Sequence, residues 1–198
     1  PVTRNIGTDM RYDNMSELNL FYTIGRKRFK SLREDEAEEL SIGAFADLEF
    51  SLTDQLRATL GVRFDYYDFE IEALRPGNSG GDNDSLWQPK VSLAYSLNEN
   101  FELYANYGQG FHSNDVRVAV NTIDPVTGDP SGSLDALVKG KGNEIGFRYD
   151  TLEGFNFTIA RFELDLDSEL MFVGDAGTTE PGLPSRRDGI ELTSFWVI

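Results

Sequence analysis

Apolar and polar residues alternate one by one over long stretches of this chain. Every even-numbered residue from Leu40 to Leu52 is apolar, while the odd-numbered residues between them are mostly polar or small. The even-numbered residues from Leu56 to Tyr66 repeat the pattern. Successive side chains of a β-strand point to opposite faces, so this period of two predicts strands with one apolar face. They exceed the usual length of about five or six residues.

Further copies of the pattern bring the expected number of strands to about nine. The predicted strands are Ile6–Asp13, Leu18–Ile24, Glu39–Thr53, Leu56–Tyr67, Trp87–Leu97, Phe101–His112, Asn143–Tyr149, Phe155–Asp167 and Ile190–Ile198. In Phe155–Asp167 the apolar residues change from odd to even positions between Ile159 and Phe162. We therefore expect a β-bulge near Arg161, because one extra residue would restore the register.

The predicted connections are alternately short and long. Short turns lie at Asp54–Gln55, Asn98–Asn100 and Thr151–Glu153, and long loops lie at Leu74–Ser85, Ser113–Val138 and Gly174–Ser185. Bacterial outer-membrane barrels have short periplasmic turns and longer extracellular loops. The sequence therefore predicts an all-β fold, an antiparallel up-and-down transmembrane β-barrel segment that is open or incomplete. It forms one partial outer-membrane barrel domain over residues 1–198.

Composition excludes several functions. The net charge of −16 argues against a nucleic-acid partner, because phosphate binding needs a basic face. The chain has no cysteine, which excludes disulfides, thiolate metal sites and cysteine nucleophiles. Aromatic residues cluster at strand ends, as in the interfacial girdles of membrane barrels. We expect outer-membrane lipid as a partner and the bacterial outer membrane as the location.

Two other functions remain open at this stage. A soluble or surface-exposed β-sheet binding module would bury the apolar face in a core, whereas a membrane barrel would expose it as a band. The exposure of Leu60, Val62 and Leu93, with Gly61, Arg63 and Ser92 on the other face, distinguishes the two. An outer-membrane enzyme on a small barrel is weaker, because no catalytic cluster emerges from the sequence.

Several stretches resemble the barrel of TonB-dependent receptors. They are Leu60-Gly-Val-Arg-Phe-Asp65, Glu102-Leu-Tyr-Ala-Asn-Tyr-Gly-Gln-Gly-Phe-His-Ser-Asn-Asp115, Asn143-Glu-Ile-Gly-Phe-Arg148, and Asp165–Asp175 leading into Ser185-Arg-Arg-Asp-Gly-Ile-Glu191. The resemblance implies a barrel of about twenty-two strands with a plugged lumen. It also implies a parent protein that imports a small ligand, most commonly a ferric siderophore. The TonB energy-coupling system would act through a plug domain that this chain lacks. We expect a middle-to-late barrel segment that does not transport by itself.

Candidate ligand-facing residues lie in the predicted extracellular loops. They are His112, Asn114, Asp115, Asp124, Asp129 and Asp175. His112 is the only histidine and would suit haem iron, but an ordinary polar role at the strand end is favoured, and no metal or cofactor is expected. Asp82, Asn83 and Asp84 have the composition of a calcium loop without the EF-hand spacing, which favours a hairpin tip.

Charged residues at mid-strand positions are candidates for the lumen wall. They pair in the sequence as Arg63 with Asp65, Glu144 with Arg148, and Arg187 with Glu191. They would either guide substrate and contact the plug or only stabilise the barrel by cross-strand pairing, and we favour stabilisation.

Overall fold

The computed structural model describes residues 2–124, 127–151, 154–173 and 178–196. The strands are, in chain order, Val2–Ile24 (β1), Lys27–Ser51 (β2), Leu56–Ala73 (β3), Gly80–Ser96 (β4), Phe101–Ser113 (β5), Leu137–Asp150 (β6), Phe155–Leu166 (β7), Leu170–Val173 (β8), Thr178–Pro181 (β9) and Ser185–Trp196 (β10). A 3-10 helix (Pro76–Asn78) follows β3, and a one-turn helix α1 (Val116–Ala119) follows β5.

Eight strands form one antiparallel sheet in the order β1-β2-β3-β4-β5-β6-β7-β10. Strands β8 and β9 form a separate hairpin in the connection between β7 and β10. Each main strand pairs with its neighbour along the chain, which is the up-and-down topology predicted from the sequence. No helix in the described ranges is long and apolar enough to cross a membrane.

The apolar positions of neighbouring strands share one face of the sheet. Leu60 lies opposite Leu48 on β2 and Val91 on β4, and the band continues around the sheet. Leu60, Val62 and Leu93 are 46%, 39% and 43% exposed, so this face is not covered by a core. Gly61, Arg63 and Ser92 lie on the other face, called here the inner face. The exposed band agrees with the membrane barrel and argues against the soluble module.

The main sheet has eight strands rather than nine because two predicted strands are one. β1 runs unbroken from Val2 to Ile24, and its pairing with β2 shifts between Met15 and Leu18. The shift in register lies where the alternation of apolar and polar residues changes between odd and even positions, so the strand continues without a break. β2 also begins at Lys27, twelve residues before the predicted start at Glu39.

Two predicted loops contain strand residues. The connection between β3 and β4 covers only residues 74–79, and Asp82, Asn83 and Asp84 lie within β4 rather than at a hairpin tip. The predicted loop Gly174–Ser185 contains β9 and part of a hairpin. Gly and Asp are common in turns, and their frequency led to the prediction of a loop. In the structure, the Gly and Asp residues at positions 80–84 form regular backbone pairs with β3.

The predicted bulge near Arg161 is wrong. Residues of β7 pair with β6 and β10 without any shift in register. Phe162, Leu164 and Leu166 therefore lie on the inner face, where Leu164 and Leu166 are opposite Gly142 and Gly140. The apolar residues of β7 therefore do change from the outward face to the inner face. They do so because the inner wall near the extracellular end of the sheet, called here the upper inner wall, is itself apolar.

The same change of face occurs on β3. Up to Tyr66 the apolar residues point outward, but beyond it Phe69 and Ile71 are buried on the inner face. Glu70 and Glu72 point outward, opposite Glu38 and Glu36 of β2. Carboxylates directly opposite one another are incompatible with lipid. The outward face therefore leaves the membrane between Tyr66 and Glu70.

The loop between β5 and β6 folds back over the inner face. Val116, Ala119 and Ala136 pack against Phe69 and Ile71 and form a small core, together with Ala37 of β2. This contact spans from the β5–β6 connection to β2 and β3. The chain's own loop therefore covers the inner face of β2 and β3 around Ala37, Phe69 and Ile71.

A buried ion network holds this loop in place. Arg33 Nε lies 2.8 Å from Asp35 Oδ2, and both side chains are more than nine-tenths buried. Arg117 of α1 reaches the same Asp35 oxygen at 3.6 Å and pairs with Asp115 at 2.5 Å. Two cations and two carboxylates thus join α1 to β2.

Asn78 ties a second loop to the first. Its Oδ1 accepts hydrogen bonds from the backbone N–H groups of Thr122 (3.1 Å) and Ile123 (3.0 Å), and its Nδ2 donates to the Ile123 carbonyl at 2.8 Å. Asn78 is 3% exposed. The β3–β4 and β5–β6 loops are therefore one hydrogen-bonded unit.

The outward band predicts that the same substitution has a large effect at one residue of β4 and a small effect at its neighbour. Leu93→Lys places a charge toward lipid and should lower the free energy of unfolding in a bilayer by about 2–4 kcal/mol. Ser92→Lys places the same charge on the polar inner face and should change it by less than about 1 kcal/mol. Denaturant titration in lipid vesicles measures both. Equal effects would contradict the assignment of faces.

The two outer edges of the sheet predict poor behaviour in water. β1 and β10 each pair on one side only, and unpaired edges promote association. We expect the isolated chain to be insoluble or oligomeric in buffer and to become dispersed in detergent. Analytical ultracentrifugation in both conditions tests this, and a monodisperse monomer in plain buffer would count against the fold.

The ion network predicts that Asp35 anchors the loop. Asp35→Ala would leave Arg33 buried without its partner and should cost about 3–5 kcal/mol. It should also speed amide hydrogen exchange in residues 114–124 and 127–136. Asp13→Ala removes the exposed partner of Arg11 and should cost at most about 1 kcal/mol. Unchanged loop exchange in Asp35→Ala would rule out the anchoring role.

Candidate functional site

Charged side chains connect distant strands across the inner wall. Arg63 of β3 donates from Nη1 to Asp9 of β1 at 2.8 Å and from Nε to Asp65 at 2.7 Å. The guanidinium passes over Gly43 of β2, which lies between Asp9 and Asp65 in the register, and any side chain there would collide with it. Gln88 donates a further hydrogen bond to Asp65. One arginine thus bridges three strands.

A second group of charges lies toward the periplasmic turns. Glu102 of β5 accepts from Arg57 at 2.5 Å and from Arg148 at 3.3 Å, which joins β3 to β6. Lys90 reaches Asp47 at 3.0 Å. The lower inner wall is therefore polar and cross-linked by ion pairs, as expected for a water-filled or protein-filled lumen.

The upper inner wall carries a patch without side chains. Gly108 lies opposite Gly142, and Gly110 opposite Gly140, so four glycines of β5 and β6 are adjacent. Leu164 and Leu166 border them on β7. Together with His112, these residues line a groove of about 340 Å³. The backbone itself forms the floor of this groove.

The groove opens into a polar cavity at the mouth. This cavity has a volume of about 480 Å³ and is lined by His112, Asp115, Leu166, Glu169 and Arg187, with Ser113 and Asn114. Arg187 donates to Glu169 across it. His112 and Leu166 border both spaces, so an apolar groove and a polar mouth form one candidate site.

Asn114 and Asp115 shape the mouth by holding the loop. Asn114 is buried, and its Nδ2 donates to the Asp135 carbonyl at 2.7 Å. Its Oδ1 has no donor in the part of the protein that the structure describes. Asp115 caps α1 by accepting from the Arg117 N–H at 3.0 Å. Burial opposes ionisation of Asp115, but the hydrogen bonds and charge of Arg117 outweigh it and lower its pKa.

Asp124 and Asp129 are not among the residues that line this cavity. Asp124 and Asp129 close a turn in which the Asp124 N–H donates to the Asp129 carbonyl at 2.8 Å, and Asp124 Oδ1 accepts from Thr127. Asp175 lies outside the described residues. A ligand-binding role for these residues stays a prediction.

The six candidate lumen residues all lie on the inner face, but only one predicted pair is in contact. Arg63 and Asp65 are bonded to each other. Arg148 pairs with Glu102 rather than Glu144, and Arg187 pairs with Glu169 rather than Glu191. Glu144 lies opposite Asn106 and Phe162, and Glu191 lies opposite Ala160. Whether these residues guide substrate stays a prediction.

Sequence reasoning missed the glycine floor and the anchor residues Arg33, Asp35 and Arg117. Glycine at alternate positions of two strands was visible in the chain, but only the register shows that the four are neighbours. The inward turn of Leu164 and Leu166 was also visible and was interpreted as a bulge.

Comparison with known proteins identifies the family. The model for "TonB dependent receptor-like, beta-barrel" matches residues 2–197. The ferric-pyoverdine 358 receptor of Pseudomonas putida is 30% identical over 156 residues, which cover 75% of this chain and 18% of that protein. The pesticin receptor of Yersinia enterocolitica is 23% identical over 198 residues, covering 94% of this chain and 28% of that protein.

A solved structure shares the fold. The ferripyoverdine receptor of the outer membrane of Pseudomonas aeruginosa superposes with a TM-score of 0.68 at 17% identity, over 100% of this chain and 28% of that one. The chain thus spans between 18% and 28% of the length of these relatives. With eight up-and-down strands, an exposed apolar band and a family match over nearly its whole length, this chain belongs to the TonB-dependent receptor β-barrel family of the bacterial outer membrane.

Proposed function

We propose that this chain forms part of the ligand-facing wall of a receptor that imports a small iron-bearing ligand, such as a ferric siderophore. The continuous groove and mouth cavity at the extracellular end of the inner wall carry this proposal. Ligands bind where a rigid scaffold presents loops around a concave space. Relatives named as ferric-pyoverdine and pesticin receptors support a transport role.

The energy for import would come from the TonB system, acting through a domain that fills the lumen. The polar inner wall supports such a partner, because ion-paired side chains suit a surface that another protein domain contacts without permanent adhesion. Outer-membrane lipid contacts the outward band. The acidic chain makes nucleic acid an unsuitable partner.

We propose no catalytic role for the site. His112, the only histidine, lies in the mouth. Its position suits a ligand contact at the rim. Asp115 is engaged by Arg117 and Glu169 by Arg187, so neither carboxylate is placed to act as a base for His112.

Two adjacent arginines give a matched test. Arg187 faces the mouth, whereas Arg186 lies on the outward face and pairs with Glu163 at 2.7 Å. In cells expressing the parent receptor, Arg187→Gln should raise the apparent KM for uptake of radioactive iron carried by pyoverdine about tenfold, since it removes a charged contact worth about 1.5 kcal/mol. Arg186→Gln should leave uptake unchanged.

The outcomes separate the proposal from its alternatives. Unchanged uptake in both variants, in a strain where deletion of the receptor also has no effect, would contradict an import role. Equal losses in both variants would indicate a change in folding rather than a ligand contact. Heat-modified mobility on gels, which reports the folded barrel, is the control for expression and folding.

A further inference from the structure

The extracellular end of the β1–β2 hairpin carries an unusual charge. Arg26, Lys27, Arg28 and Lys30 lie within five residues, in a chain that has 18 Lys and Arg against 34 Asp and Glu. No acidic residue occurs between Glu17 and Glu34. We call residues 21–30 the basic tip. In so acidic a protein, this concentration of positive charge is a separate feature of the surface.

The basic tip projects beyond the rest of the sheet. The last residue of β3, Ala73, pairs with Asp35, and the Leu74 N–H donates to the Glu34 carbonyl, so the residues of β2 before Glu34 pair only with β1. The seven residues from Lys27 to Arg33, at about 3.4 Å each, give a two-stranded ribbon that extends about 24 Å past β3. It lies at the same end as the long loops, opposite the turns at 52–55 and 97–100, and this end is extracellular in such barrels.

The cations of the basic tip are free to bind a partner. Arg26, Lys27, Arg28 and Lys30 are exposed, and no carboxylate of the described residues forms an ion pair with them. By contrast, Arg57, Arg63 and Arg148 of the wall are all paired. Residues 18–33, which form most of the ribbon, contain no acidic side chain that could pair with these cations.

Aromatic rings hold two of the cations in position. The Arg28 guanidinium lies 4.3 Å from the Phe21 ring, and Lys30 Nζ lies 5.7 Å from the Tyr22 ring. Tyr22 pairs with Lys30 and the next residue, Thr23, pairs with Arg28, so the two cations are on opposite faces of the ribbon. Phe29 is 60% exposed beside them.

Backbone strain also places a cation at the end. The turn has Gly25 at φ 54° and Arg26 at φ 65°, and Arg26 is the only non-glycine residue with positive φ in the described ranges. Asn-Gly is the usual choice for such a two-residue turn. A strained arginine here is consistent with a binding role for its side chain.

We propose that the basic tip binds the phosphorylated saccharide of lipopolysaccharide around the barrel. A two-stranded ribbon encloses no cavity, which disfavours a small ligand as its main partner. Cations on both faces suit a dense anionic layer, and exposed rings suit stacking on sugars. The proposal needs only the barrel's orientation and does not depend on import.

The test uses the full chain in detergent micelles and the deacylated, phosphorylated oligosaccharide of lipopolysaccharide as the probe. Without acyl chains the probe cannot insert into the micelle. Isothermal titration calorimetry gives the Kd. Neutralising the tip with Arg26→Gln, Lys27→Gln, Arg28→Gln and Lys30→Gln should raise the Kd about tenfold or more. Exchanging each Arg for Lys and each Lys for Arg should leave the Kd nearly unchanged.

Two measurements on the unmodified chain support or overturn the proposal without any variant. Removing phosphate from the oligosaccharide, or raising the salt concentration, should weaken binding because both reduce the charge attraction.

Equal Kd values for the neutralised and unmodified chains, or for the probe with and without phosphate, would overturn the proposal. Unchanged oligosaccharide binding, together with loss of ferric-siderophore uptake when the same four substitutions are made in the parent receptor, would assign the tip to the small ligand instead.

Discussion

Backbone hydrogen bonding in lipid is the constraint on which this structure depends. No water is available in the hydrocarbon to satisfy an N–H or C=O group, so each strand must pair continuously with its neighbours. Continuous pairing keeps the side-chain alternation in step from strand to strand, as it is from Leu48 through Leu60 to Val91. Both the apolar band and the polar inner wall follow from that one requirement.

The constraint ends where the sheet leaves the membrane, and beyond that level apolar and charged side chains exchange faces. Phe69 and Ile71 turn inward to pack under the loop after β5, while Glu70 and Glu72 turn outward to water. On β7, Leu164 and Leu166 turn inward beside the glycines of β6. The groove and the mouth cavity lie at this level, where the inner wall offers apolar surface near polar loops.

The lipid-spanning part was predictable from sequence because its rule is local. Alternation from Leu40 to Leu52 and from Leu56 to Tyr66 gave the strands and their faces directly. The mouth was not predictable in the same way. Arg117 meets Asp35 and its partner Arg33 only because a loop crosses several strands, and no spacing in the chain indicates this. The bulge expected at Arg161 failed because the prediction assumed that every apolar residue of a strand must face lipid.

The shared hydrogen bonds at Asn78 have a consequence for how such receptors diversify. The loop after β3 supplies the amide, and the loop after β5 supplies the backbone groups that it satisfies. Replacing either loop alone would leave buried polar groups of the other loop without hydrogen-bond partners. New specificities built on this scaffold should therefore arise by exchanging the two loops together, as a single inherited module.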